Sequence, residues 1–128
     1  MPIRYVLIMA GGALGALCRY GLQGWVQRFT DGSFPLGTLI VNVTGCFVIG
    51  VLNMLFSGPW PIRIDYRVGL VVGLLGGFTT FSAFGWETFA LASEDQLAGA
   101  LMNVVLSVSL GMAAVWFGYR VAERLYGS

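Results

Sequence analysis

With 128 residues that are 57% hydrophobic and only 10% charged, the chain is far more apolar than a soluble domain, where about a quarter of residues are charged. A net charge of +1 excludes the clustered basic footprint of a nucleic-acid binder. The absence of histidine removes the commonest general base and the commonest metal ligand. The length accommodates four membrane spans of about 20 residues each and little else. The expectation is therefore an all-α integral membrane protein, a single domain over residues 1–128. Cys18 and Cys46 fall in apolar segments, too few and too dispersed for a zinc site, and read as small packing residues. No nucleophile–base pair is visible, which argues against an enzyme.

The first span is predicted over residues 5–22, behind Arg4. It is too long and too glycine-rich for a signal peptide, and Gly11 and Gly15 form a small-xxx-small pair that lets helices approach closely. Arg19 lies about one turn from its end. It is either a functional intramembrane charge or a side chain that snorkels to the interface; position alone does not separate the two. Residues 23–35 read as a loop, with Trp25 of the interfacial anchor type, the turn signal Asp31-Gly32 and Pro35 in the first turn of the next helix. The second span is predicted over residues 36–56. Thr38 and Asn42 lie four apart in it and so share a face. In hydrocarbon the Asn42 amide must find a partner on another helix or face water.

Residues 57–65 form a short loop stopped by Gly58-Pro59 and Pro61, with Trp60 and Tyr66 at interface level. The third span begins near Tyr66 and carries Gly69, Gly73 and Gly77 at a four-residue period, a tandem close-packing face. It runs into Gly73–Glu87, where Gly76, Gly77, Thr79, Thr80 and Ser82 crowd together inside an apolar run. Glycine pairs followed by β-branched threonines are poor helix formers. Backbone that leaves the helix at membrane depth is tolerated only where protein buries it or where it lines a cavity, and transporters coordinate ions with such freed carbonyls. Phe81 and Phe84, at i and i+3, share a face of the helix that resumes. The stretch reads either as an ion site with two rings beside it or as a glycine-lined contact with phenylalanines facing lipid. Glu87 and Trp86 are placed at its far end, residues 92–96 form the last loop, and the fourth span covers residues 97–119 with Asn103 and Ser107 four apart. Arg120, Glu123 and Arg124 are expected as a charged tail.

Four spans leave both termini on one side, together with Arg4, Arg63, Arg67, Arg120 and Arg124; the other side has Arg28, with Arg19 near the membrane edge. The positive-inside rule would put the termini in the cytoplasm.

Three motifs carry a family resemblance over nearly the whole chain: Gly-Ala-Leu-Cys-Arg-Tyr at residues 15–20, Gly-Thr-Leu-Ile-Val-Asn-Val-Thr-Gly at 37–45, and Gly-Gly-Phe-Thr-Thr-Phe-Ser-Ala-Phe-Gly-Trp-Glu at 76–87. The chain resembles the Fluc-type fluoride channels, the CrcB family. The resemblance implies an antiparallel homodimer in the cell (inner) membrane, with the third helix broken, two pores that let F⁻ leave passively, and a structural Na⁺ at the dimer interface. It assigns the Na⁺ to backbone carbonyls of Gly76 and Thr79. It places Phe81, Phe84, Asn42 and Ser82 along the fluoride pathway, has Arg19 attract anions near the vestibule, and makes a polar track of Thr38, Asn103 and Ser107. The chain departs from the family pattern at Ala83, where relatives usually carry a hydroxyl residue, and at Asn103 and Gly111, which often are tyrosine and serine. A four-helix multidrug-type transporter and a non-transporting membrane subunit are the alternatives; a proton-coupled carrier needs a carboxylate inside the bundle, and the first, second and fourth spans have none.

Overall fold

The computed structural model describes residues 2–127, and among these four segments are long and apolar enough to cross a membrane: Ile3–Gln27, Leu36–Ser57, Ile64–Ser93 and Leu97–Tyr126. We label them α1 (Ile3–Gln27), α2 (Leu36–Ser57), α3 (residues 64–78), α4 (Phe81–Ser93) and α5 (Leu97–Tyr126), with α3 and α4 the two halves of the third span. Many large apolar side chains point outward, Leu17 at 70% and Met112 at 66% exposure. Exposed apolar surface of that extent marks a membrane or an interaction surface, and the family of spans agrees with a multi-pass membrane protein.

Glycine positions set the packing. α1 lies against α3, and a Cβ built on Gly11 would come within 2.6 Å of the Gly69 carbonyl oxygen, while one on Gly73 would meet the Ile8 carbonyl oxygen at 2.9 Å. α2 lies against α5 in the same way, with Gly50 facing the backbone of Val115 and Gly118 facing that of Phe47. Only backbone-to-backbone approach without intervening side chains gives such contacts, as expected for small residues at helix interfaces in lipid.

Three predicted boundaries are corrected. α1 runs to Gln27 rather than ending at residue 22, because its polar last turns are held by α2: Gln27 Oε1 accepts from the Gly37 N–H at 2.7 Å, and Gln23 Nε2 donates to Thr38 Oγ1 at 2.8 Å. α5 continues through the expected charged tail to Tyr126, where Trp60 packs on Tyr126 with ring centroids 4.8 Å apart and Arg120 pairs with Glu123 at 2.8 Å. The last loop opens after Ser93 rather than at residue 92, and Glu87 lies in the middle of α4. One feature had no counterpart in the sequence reading: within α3 the segment Gly69–Leu75 is a π-helix, a widened winding that recurs at functional sites.

Candidate functional site

The third span is broken, and the break sits at two residues. Thr79 (φ −87°, ψ 158°) and Thr80 (φ −149°, ψ 121°) are extended, whereas Gly76, Gly77 and Phe78 remain helical. The glycines thus lead up to the break and the threonines form it, as β-branched residues favour extended backbone. Thr79 closes the first half, with both its N–H and its Oγ1 donating to the Leu75 carbonyl at 2.9 Å. Thr80 starts the second half as an N-cap, its Oγ1 accepting from the Ala83 N–H at 3.2 Å.

Asn42 of α2 spans the gap. Its Nδ2 donates to the Thr80 carbonyl at 2.9 Å, and the Thr80 N–H donates to Asn42 Oδ1 at 2.8 Å. The carboxamide therefore stands in for a neighbouring backbone, giving the broken chain the donor and acceptor that a helix would have supplied. The rerouting frees two carbonyls. In an unbroken helix the Thr80 N–H would serve the Gly76 carbonyl, and the Ala83 N–H would serve that of Thr79; here they go to Asn42 and to the Thr80 hydroxyl. The next carbonyl, Gly77, accepts from Arg19 Nε at 3.1 Å.

Gly76, Thr79, Thr80, Asn42, Phe81, Phe84, Cys46 and Ser107 line one cavity of about 390 Å³ on the face of the bundle. The Phe81 and Phe84 rings lie 5.5 Å apart at 46°, and Phe81 stands 82% exposed. Ser82 is outside that lining, exposed, with its hydroxyl 3.3 Å from that of Thr80. The freed Gly76 and Thr79 carbonyls are hard oxygen donors of the kind that hold Na⁺ at broken transporter helices. The residues present fit such an ion. No group of three or more His, Cys, Asp or Glu side chains able to hold a metal occurs among the described residues.

The polar residues expected in one track fall into two hydrogen-bonded sets. Ser107 Oγ donates to Asn103 Oδ1 at 3.3 Å, Asn103 Nδ2 to Thr88 Oγ1 at 2.9 Å, and Thr88 Oγ1 to the Phe84 carbonyl at 2.7 Å. Asn103 is only 2% exposed, so this chain satisfies a buried amide and runs from α5 to the helical turn that carries Phe84. Thr38 belongs to the other set: it accepts from Gln23 and donates to Glu87 Oε2 at 2.9 Å, while Glu87 Oε1 is buried without a partner among the described residues. Thr38 and Glu87 lie on the wall of a second cavity of about 760 Å³, open at the end of the bundle where α1 stops, which Gln23, Gln27, Arg28 and Ser33 also line. Sequence reasoning missed Thr88, whose one signal was its position a turn after Phe84, and gave Gln23 and Glu87 no partners.

The family model described as CrcB-like protein, Camphor Resistance (CrcB), matches residues 6–119. Curated relatives named fluoride-specific ion channel FluC include one from Solibacter usitatus, 46% identical over 95% of this chain and 100% of the relative. Others are from Desulforapulum autotrophicum, 44% identical over 92% of this chain and 94% of the relative, and from Thermus thermophilus, 44% identical over 97% of both. A family match across most of the chain, with relatives this similar over nearly their full length, agrees with the motifs at residues 15–20, 37–45 and 76–87, and the chain belongs to the CrcB family.

Proposed function

We propose that the protein is a fluoride-selective channel that lets F⁻ cross the membrane passively, as an antiparallel homodimer with two pores and a structural Na⁺ between the copies. The observation that carries this reading is the Thr79–Thr80 break braced by Asn42, with Phe81 and Phe84 on the same cavity, in a chain whose relatives bear the name of fluoride channels. A small anion gives up much hydration on entering a narrow path. Aromatic rings carry a positive edge, so the edges of Phe81 and Phe84 can face F⁻ without holding it so tightly that it stalls, the balance conduction requires. Asn42 has a second N–H beyond the one given to Thr80, and the Thr80, Ser82 and Ser107 hydroxyls can donate as well. The chain Ser107–Asn103–Thr88 fixes the helical turn of Phe84, and Thr38 holds Glu87 at the open end. A Na⁺ on the Gly76 and Thr79 carbonyls would place a positive charge beside the anion path and favour anions there.

The test is fluoride efflux from liposomes containing the purified protein, with valinomycin to balance charge. Passive, electrogenic F⁻ efflux is expected, with Cl⁻ excluded. Phe81→Ile and Phe84→Ile keep apolar bulk but remove the ring edge; flux should fall at least tenfold while the size-exclusion profile is unchanged. Absence of fluoride flux from folded wild-type protein overturns the reading, and flux that depends on an imposed proton gradient points instead to a coupled carrier working through Glu87.

A further inference from the structure

We propose that Arg28 is the anion-collecting charge of the pore mouth, a role distinct from that of Arg19; the proposal rests on the fluoride-channel reading. Two arginines belong to α1, Arg19 at the depth of the helix break and Arg28 at the C-cap, and the structure engages them differently. Arg19 is half-buried, with Nε committed to the Gly77 carbonyl beside the helix break, and it does not line the open cavity at the bundle end. Arg28 does line it. It is the C-cap residue of α1, exposed, and it has no carboxylate partner among the described residues.

Of the residues on that cavity wall, Arg28 is the one cation and Glu87 the one carboxylate. The Glu87 carboxylate accepts from Thr38 on the inner wall. The other acidic residues at this end, Asp31, Glu94 and Asp95, are all off the wall. The backbone beneath Arg28 is fixed: Gln27 holds the Gly37 N–H at 2.7 Å, and Ser33 Oγ donates to Gln96 Oε1 at 2.6 Å, tying the loop after α1 to the start of α5. A cation on the wall of a concave cavity concentrates field lines in it and raises the local anion concentration.

Such attraction acts through space, so it must be screened by salt. The Debye length is about 30 Å at 0.01 M and about 8 Å at 0.15 M ionic strength, which spans the change from an unscreened to a largely screened mouth. The experiment measures fluoride efflux of wild type, Arg28→Lys, Arg28→Gln and Arg28→Glu at low fluoride concentration, with ionic strength set by impermeant salt between these limits. Wild type and Arg28→Lys should conduct alike and lose rate as salt rises. Arg28→Gln should be about threefold or more slower at low salt, Arg28→Glu slower still, and all four should converge at high salt. Equal rates for Arg28→Gln and wild type at low salt overturn the proposal, as does a deficit that persists unchanged at high salt, which would mark Arg28 as a structural residue. Lack of flux in wild type is a different result, and it removes the channel reading itself.

Discussion

Asn42 does at the residue scale what the backbone cannot do for itself at Thr80. It closes a donor–acceptor pair with Thr80 at 2.8 and 2.9 Å, at membrane depth, where backbone that leaves the helix must be met by protein or by a cavity. Leaving a buried polar group unpaired costs about 1–3 kcal/mol. Asn42→Leu, close in volume, strands both Thr80 groups, so the expected outcome is a lower melting temperature in detergent together with loss of fluoride efflux. Asn42→Asp keeps the acceptor for the Thr80 N–H but sets a carboxylate against the Thr80 carbonyl, and it should also lose flux. A Leu variant with wild-type melting and flux would mean that the amide only packs. The polarity of Asn42 in an apolar run was plain in the sequence. Its partner was not, because the contact joins residues 38 apart and no local period encodes it. Thr38 shows the same limit: placed on one track with Asn103 by the family resemblance, it bonds to Gln23 and Glu87.

At the element scale, glycine decides how closely the third span approaches α1. A Cβ on Gly77 would lie 2.5 Å from the Gly12 carbonyl oxygen and 3.0 Å from its Cα, both backbone atoms that cannot rotate away. Gly77→Ala must therefore push α3 and α1 apart or shift the break. Overpacking of this kind costs about 1–3 kcal/mol. Gly21, by contrast, has nothing within 4 Å of the added methyl, and an alanine there gains up to about 1 kcal/mol of helix propensity. Thermal melts of the two variants in one detergent should move in opposite directions; a Gly77→Ala protein as stable as wild type would mean that the close contact is not needed. The four-residue spacing of Gly69, Gly73 and Gly77 made this face legible, and the poor helix formers after it made the break legible. The residues at which the helix opens were not, since Gly76 and Gly77 stay helical and the open backbone of Thr80 is paired by Asn42 from another helix. The π-helix at Gly69–Leu75 likewise left no mark in the composition of the segment.

For the whole molecule, the question is what covers the cavity at the break. Phe81 is 82% exposed beside Thr80 and Ser82, and two carbonyls are released from the helix ladder on the same face. Lipid cannot satisfy such groups, so a second copy is the natural cover, and two-fold pairing is the commonest way for identical chains to meet. Depth argues for the direction of pairing. In an antiparallel pair the two-fold axis lies in the membrane plane, so a residue above the midplane faces its own copy below it, and only mid-depth residues can share one ion with their counterparts. The Thr79–Thr80 break falls in the middle of the span Ile64–Ser93, which is where an antiparallel pair requires it. The arginine distribution pulls the other way, with Arg4, Arg63, Arg67, Arg120 and Arg124 all on the side of the termini. Four of these are held by the protein's own side chains, Arg4 and Arg63 by Asp65, Arg67 by Asn53 and Ser57, and Arg120 by Glu123, but acidic partners weigh little in topology. The expected outcome is that both orientations occur, in unequal amounts. Single-cysteine labelling from one side of intact cells, with the reporter near the C-terminus in a background free of Cys18 and Cys46, should find a labelled and a protected fraction. Replacing Arg120 and Arg124 with glutamine should shift that ratio toward the minor orientation. Complete protection or complete labelling of all copies in both backgrounds would exclude the proposed antiparallel dimer and with it the proposed shared Na⁺ site.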